Sequence, residues 1–253
     1  DIAQCLVGSE MCIRDSLMFQ PIMEIQDGKP LFHGAEALLR YHTPDLSGIS
    51  QEELIETLEY SDLILTAGRW IVRQAVKECA NWHKMGAPLY ININISAQQV
   101  SDKDLVSYIR KCCREYGLDP KWLVFELTET SLINNFEIAD QFCRELRDMG
   151  AGVALDDFGT GYSSFTYLKR LTISQIKIDR EYVQHSNEDT YDQVFLKCLY
   201  DLGRNLGVTL CAEGVEDKET CRKMQEMGIT LMQGYYFDQP LETEAFRRKI
   251  SLD

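Results

Sequence analysis

The chain has 253 residues, 45% of them hydrophobic, with a formal net charge of −14 and a pI near 4.8, which allows one large core and a single domain. Because no long Lys/Arg cluster offsets that acid excess, a DNA or RNA polymer is excluded as partner, and an anionic ligand would need a local metal. No apolar stretch reaches the ~18 residues of a membrane span and no secretory signal is evident, so this segment reads as soluble and without membrane contact.

Residues 1–16, ending Met11-Cys12-Ile13-Arg14-Asp15-Ser16, match nothing that follows and read as an unassigned linker or artefact. The chain starts at Asp1 rather than methionine, as a piece of a longer protein would. From Leu17 onward, short β-branched runs alternate with longer amphipathic stretches, the pattern of βα repeats around a parallel sheet. The first strands are expected at 18–22 and 33–39, separated by Asp27-Gly28-Lys29-Pro30. A turn that short implies a hairpin and an antiparallel first strand. Further strands are expected at 89–95, 123–127, 152–155, 175–178, 209–212 and 230–233. Helices are expected at 50–60, 67–85, 102–116, 137–149, 190–206 and 218–227. Eight strands inside a ring of helices predict an α/β fold of the TIM type, a (β/α)8 barrel.

The nine cysteines are scattered, odd in number and free of any CxxC pair, which predicts a reduced, cytoplasmic protein. Cys112-Cys113 reads as two thiols on a helix rather than a redox pair. The four histidines fit no zinc spacing.

Asp156 and Asp157 lie where Val153-Ala154-Leu155 meets the glycine-rich turn Phe158-Gly159-Thr160-Gly161-Tyr162-Ser163-Ser164. Adjacent carboxylates ending a buried strand repel each other unless a cation or a shared proton neutralises them, so the pair reads as a divalent metal site; capping a loop is the alternative. Glu36, Asn94, Glu126, Lys177, Glu213 and Gln233 likewise fall within or at the end of an apolar strand. In a barrel the C-terminal strand ends converge on one mouth, so these residues would meet there. Oxygen ligands without nearby Cys or His favour Mg2+ or Mn2+ over zinc. The carboxylates exceed what one ion needs, and two bridged ions would suit displacement at a phosphodiester. Lys177 could hold a metal-bound hydroxide or a developing oxyanion, or form a salt bridge to Asp179 or to a ring carboxylate.

These residues stand in motifs that resemble the EAL domain, a bacterial phosphodiesterase of the second messenger cyclic di-GMP. In order they are Phe19-Gln20-Pro21-Ile22, Glu36-Ala37-Leu38-Leu39-Arg40, Asn94-Ile95-Ser96, Glu126-Leu127-Thr128-Glu129, Asp156 through Ser164, Lys177-Ile178-Asp179, Ala212-Glu213-Gly214-Val215-Glu216 and Gln233-Gly234-Tyr235. The resemblance implies an EAL-variant barrel over residues 17–250 that hydrolyses cyclic di-GMP to linear pGpG with two divalent cations, Mg2+ or Mn2+. It implies that Glu36, Asn94, Glu126 and Asp156 bind the first metal and that Asp156 and Asp157 bind the second. Lys177 and Glu213 would act on the attacking water, with Glu213 as general base. Glu129 would hold the loop from Asp157 to Ser164, and Gln233 and Glu216 would support the metal and loop geometry. Gln20, Arg40 and Gln233 would contact substrate. The loop and its following helix imply a homodimer. The parent protein could carry a sensory or cyclase domain and be membrane-attached.

Departures from the family pattern are Gln51 for proline, an insertion and deletion flanking Gly48, Asp62 for glycine, Thr172 and Ser174 for Pro and Asp, and Thr230 for Asp. They fall outside the metal and water positions. Tyr235 and Phe237 could stack on guanine but read rather as core, and Tyr41 and His42 read as solvated loop. The alternative function is a non-catalytic cyclic di-GMP receptor acting through a protein partner, which would be expected to lack one of the metal positions. An enolase-like metal-dependent lyase would carry the carboxylates without the ordered motifs.

Overall fold

A computed structural model describes residues 16–40, 51–61, 63–129, 131, 136–159, 168, 170–187 and 190–251. β1 (Ser16–Gln26) and β2 (Lys29–Arg40) form a hairpin through Asp27 and Gly28, whose φ values are 51° and 75°. Two left-handed residues give the turn a twist that matches that of the paired strands. β1 also runs antiparallel to β8 (Leu231–Gln233) and to β9 (Leu241–Glu242).

β3 (Tyr90–Asn94), β4 (Leu123–Thr128), β5 (Gly152–Phe158), β6 (Gln175–Ile178) and β7 (Thr209–Ala212) lie in order between β2 and β8, every neighbour parallel. The β1–β2 pairing closes the ring, giving a barrel of eight strands with an antiparallel first member. The helices are α1 (Gln51–Tyr60), α2 (Ile64–Lys84), α3 (Ala97–Val100), α4 (Leu105–Tyr116), α5 (Phe136–Asp148), α6 (Arg180–Gln184), α7 (Thr190–Leu206), α8 (Lys218–Glu226) and α9 (Thr243–Ile250). Among the described residues, no helix is long and apolar enough to cross a membrane.

Strand alternation divides the interior in two. Ile91, Ile93, Phe125, Leu127, Val153, Leu155, Ile176 and Ile178 belong to the main apolar core, together with buried helical residues such as Val72, Val76, Ile109 and Leu146. Their alternate neighbours point into the barrel, where Ile22, Cys211 and Leu231 form a small separate apolar cluster.

The expected elements are present, with shifted ends. Ser16, placed before the domain by its sequence, opens β1 opposite Arg40, and β5 continues through Phe158 rather than ending at 155. The short helices α3 and α6 and the β9–α9 extension carry too few residues to show a period. Tertiary contacts hold α9: Phe246 packs on Trp82 at 4.8 Å between ring centres, and Arg247 forks onto Glu78 at 2.6 and 2.8 Å. Cys112 and Cys113 lie buried on α4, where burial raises the Cys113 thiol to about 12, far from a reactive thiolate.

Several departures carry structural hydrogen bonds. The Ser174 hydroxyl donates to the Val153 carbonyl at 3.0 Å and accepts from the Val153 amide at 3.1 Å, tying β5 to the start of β6. Thr172 accepts from Arg147 at 3.2 Å, and the Thr230 carbonyl accepts from the Ile25 amide at 2.8 Å. Gln51 opens α1. Gly48 and Asp62, like Tyr41 and His42, lie outside the described residues.

Candidate active site

The register of the parallel strands and of the antiparallel β1 stacks the polar residues at one end of the barrel. Gln20 stands opposite Glu36, Asn94 beside Glu126, and Gln233 opposite Ile22. At the centre is Lys177, 1% exposed. Its Nζ lies 2.8 Å from Glu213 Oε1, 2.9 Å from Glu126 Oε2, 3.1 Å from Asp156 Oδ1 and 3.2 Å from Glu36 Oε2. The salt-bridge alternative is therefore realised with the ring carboxylates. Asp179 instead accepts from the Glu181 amide at 2.8 Å and caps α6.

Amides orient the carboxylates from the sides. Asn94 Nδ2 donates to Glu36 Oε1 at 2.7 Å, while Gln233 Nε2 donates to Glu36 Oε2 at 2.8 Å and to Gln20 Oε1 at 3.1 Å. Asn92 Nδ2 donates to Glu126 Oε1 at 2.7 Å.

Adjacent residues of a regular strand face opposite ways, yet Asp156 and Asp157 both reach the mouth. The β5–β6 register shifts between Leu155 and Phe158, and Asp157 takes a left-handed φ of 52°. This irregularity turns the second carboxylate toward the first. Oxygens of Asp156, Asp157 and Glu213 all lie within 4.8 Å of one another, so the three can hold a metal ion. Two buried oxygens, Asp156 Oδ1 and Gln233 Oε1, accept no hydrogen bond, and Asp156 Oδ1 has only its ion pair with Lys177. Acceptors left in this state suit a hard cation.

The charge state follows from crowding. Burial opposes the Lys177 charge, but Asp156, Glu126, Glu213 and Glu36 outweigh it and hold the ammonium protonated. Burial and the Glu36 charge push Glu126 well above the carboxylate range. Burial raises Glu213 to about 8 against the pull of Lys177, and burial and Asp156 raise Asp157 to about 6. Glu36 goes the other way: burial opposes its ionisation, but Lys177 and the Gln233 and Asn94 amides overcome that and lower its pKa. One lysine cannot neutralise this many carboxylates, so protons remain where a divalent cation would displace them.

A cavity of about 430 Å³ opens above the cluster, lined by Gln20, Glu36, Asp157, Asp179, Arg180, Glu213, Glu216, Gln233 and Tyr235 among others. Glu216 accepts from Gln184 Nε2 at 2.9 Å at its rim. Arg40 donates to the Leu39 carbonyl at 2.8 Å and is not among the lining residues. Glu129 follows β4 and is buried, while residues 160–164 of its expected loop partner lie outside the described residues.

The core reading fails for Tyr235, which is 60% exposed at the mouth. The Tyr236 amide bonds to the Val215 carbonyl and the Phe237 amide to that of Gly234, a turn that sends Tyr235 outward and packs Phe237 against the core. Arg180, Asp179 and Asn92 were not in the predicted set. Arg180 directly follows Lys177-Ile178-Asp179, a proximity that could have drawn notice; Asn92 sits two residues before Asn94, on the same strand face.

The fold and the cluster define a TIM-type barrel with an acidic, lysine-centred mouth. The EAL domain profile matches residues 13–240, and the chain belongs to that family. It is 32% identical over 245 residues to the bifunctional diguanylate cyclase/cyclic di-GMP phosphodiesterase MucR of Pseudomonas aeruginosa, covering 96% of this chain and 35% of MucR. It is 33% identical over 213 residues to the cyclic di-GMP phosphodiesterase PdeR of Escherichia coli, covering 84% of this chain and 32% of PdeR. The chain thus spans about a third of the length of these relatives. Among solved structures it resembles the PaMucR phosphodiesterase in complex with c-di-GMP, with a TM-score of 0.88 and 30% identity over 97% of this chain and 99% of that one.

Proposed function

We propose that this domain hydrolyses cyclic di-GMP to linear pGpG. The observation that carries the reading is the set of oxygen ligands around Lys177, with Asp156 Oδ1 and Gln233 Oε1 buried without a hydrogen bond, in a chain of the EAL family. Glu36, Asn94, Glu126 and Asp156 would hold one divalent cation and Asp156 with Asp157 a second, Mg2+ or Mn2+, supplying Lewis acidity at the phosphodiester. The chain's own groups do the rest. Ionised Glu213 accepts a proton from the attacking water, with its carboxylate held by Lys177 at 2.8 Å. The water oxygen bonds to phosphorus as the P–O3′ bond breaks, and the leaving 3′ oxygen takes a proton from solvent. Lys177 donates toward charge building on the reacting oxygens.

Gln20, Gln233 and Arg40 orient the substrate, and Glu129 and Glu216 position the loops around it. Tyr235, exposed at the mouth, offers a face for a guanine. Val194 and Tyr191 are exposed on α7, the helix whose Phe195 packs beside Gly159, and support a homodimer through that side. A cytoplasmic site of action suits a second-messenger substrate, and a sensory or cyclase domain elsewhere in the parent protein suits a chain spanning about a third of its relatives.

The test is chromatographic assay of pGpG from cyclic di-GMP with Mg2+ or Mn2+, beside Glu36→Ala. Product that requires both the cation and Glu36 is expected. Binding without product would move the chain to the receptor class, and the absence of both binding and product would refute any cyclic di-GMP role.

A further inference from the structure

Beneath the mouth, apolar and polar side chains occupy different parts of the barrel interior. Ile22, Cys211 and Leu231 fill one part with apolar surface, whereas Asn92 and Gln175 occupy the part under Glu126. Asn92 is 3% exposed, Gln175 7% and Glu126 1%. The Asn92 Nδ2 group spends its hydrogens in two directions, to Glu126 Oε1 at 2.7 Å and to Gln175 Oε1 at 3.3 Å. Glu126 Oε2 faces Lys177 Nζ at 2.9 Å.

Burying two amides costs free energy that an apolar layer would avoid, so their place under one carboxylate calls for a reason. A carboxylate on a two-carbon stem has a broad terminal torsion with little intrinsic preference for one plane. Lys177 alone does not fix the orientation of the carboxylate plane, since one ammonium donates equally well to either oxygen. A short amide bond from below pins Oε1 downward, and the Gln175 acceptor keeps the Asn92 amide from turning its oxygen toward Glu126.

We infer that Asn92, held by Gln175, is a positioning residue that orients Glu126 for divalent-cation binding. This rests on the proposed cation site and extends it to a layer of side chains that touch neither cation nor substrate. Partners that orient a ligand in this way affect metal affinity by about 10–100-fold.

The test is Mn2+ binding to the purified domain, read from the electron paramagnetic resonance signal of free Mn2+, with thermal melts as a control. Asn92→Leu keeps the branched outline with bulkier methyl ends and removes the donor, and its Mn2+ dissociation constant is expected to rise about 10–100-fold. Turnover by this variant should return toward wild type at saturating Mn2+, because the cluster above is intact. An unchanged Mn2+ constant with a lowered melting point would assign Asn92 to packing alone and overturn the inference. Should Asn92→Leu not fold, Gln175→Met decides: several-fold weaker Mn2+ binding supports the inference, and wild-type binding overturns it. A wild-type domain that binds Mn2+ but does not hydrolyse cyclic di-GMP would sink the phosphodiesterase reading while leaving this comparison intact. No Mn2+ binding by the wild type would sink the inference itself.

Discussion

Lys177→Met removes the one positive charge from the centre of the mouth while nearly preserving its shape. Four carboxylate oxygens lie within 2.8–3.2 Å of Nζ. At an effective dielectric of about 20, each such contact with an ionised carboxylate represents about 5 kcal/mol of gross Coulomb attraction, and protonation of Glu126 and Glu213 removes part of the total. Most of it is offset by desolvation of the ammonium and by repulsion among the carboxylates. What remains on breaking a buried ion pair is about 3–5 kcal/mol. For a domain of this size each kcal/mol shifts the melting point by about 2–4 °C, so without metal the variant should melt about 6–20 °C below wild type. The loss should be larger at pH 8 than at pH 5, because protonation can neutralise the abandoned carboxylates in acid. Added Mg2+ should raise the melting point of the variant more than that of wild type, as a divalent cation takes over the missing charge. Turnover of cyclic di-GMP should be lost. Calorimetric melts with EDTA and with Mg2+ measure all but the last. An unchanged metal-free melting point, or equal Mg2+ stabilisation of both proteins, would refute a lysine held by these four groups.

Gly234→Ala should destabilise the domain by more than about 2 kcal/mol and lower turnover, since its Cβ would fall 2.1 Å from the Val215 carbonyl oxygen beside Gln233; denaturant titration reads the first effect, and a wild-type midpoint contradicts it. Glu129→Ala should reduce kcat about tenfold or more by releasing the loop it is proposed to hold, and unchanged kinetics would end that role. The pH dependence follows from Asp157 and Glu213, whose folded-state pKa values are raised to about 6 and about 8. Raised carboxyl groups contribute stability that is present below their unfolded values near 4 and is lost as pH rises through the folded ones. Metal-free protein should therefore melt lower at pH 8 than at pH 5, and stabilisation by Mg2+ should grow over the same window; melts insensitive to pH and Mg2+ would contradict the raised values.

Much of the site could be read along the chain because its side chains violate their surroundings. Glu36, Glu126 and Lys177 are charged residues in apolar strands, and burial of such groups demands partners. Asp156-Asp157 carried the same signal through like-charge repulsion. The barrel was legible for a related reason, since the period-two and helical patterns record which faces are buried, and Asp27-Gly28 announces a hairpin and hence an antiparallel β1.

Other features depend on contacts between distant segments. Tyr235 looks like core in an aromatic run, and only the turn packed on Val215 exposes it. The β9–α9 extension is too short for periodicity and is placed by Trp82 and Glu78. Asn92 and Gln175 are separated by 83 positions and meet only in the barrel interior. Sequence by itself determined the alternation of buried and exposed faces, the tight first turn and the identity of the charged groups, because these are local properties of neighbouring residues. Only the tertiary structure decided which carboxylate oxygens face Lys177, which stay without a donor and which amides orient them, because those depend on strand register and barrel closure, where distances between remote residues are set.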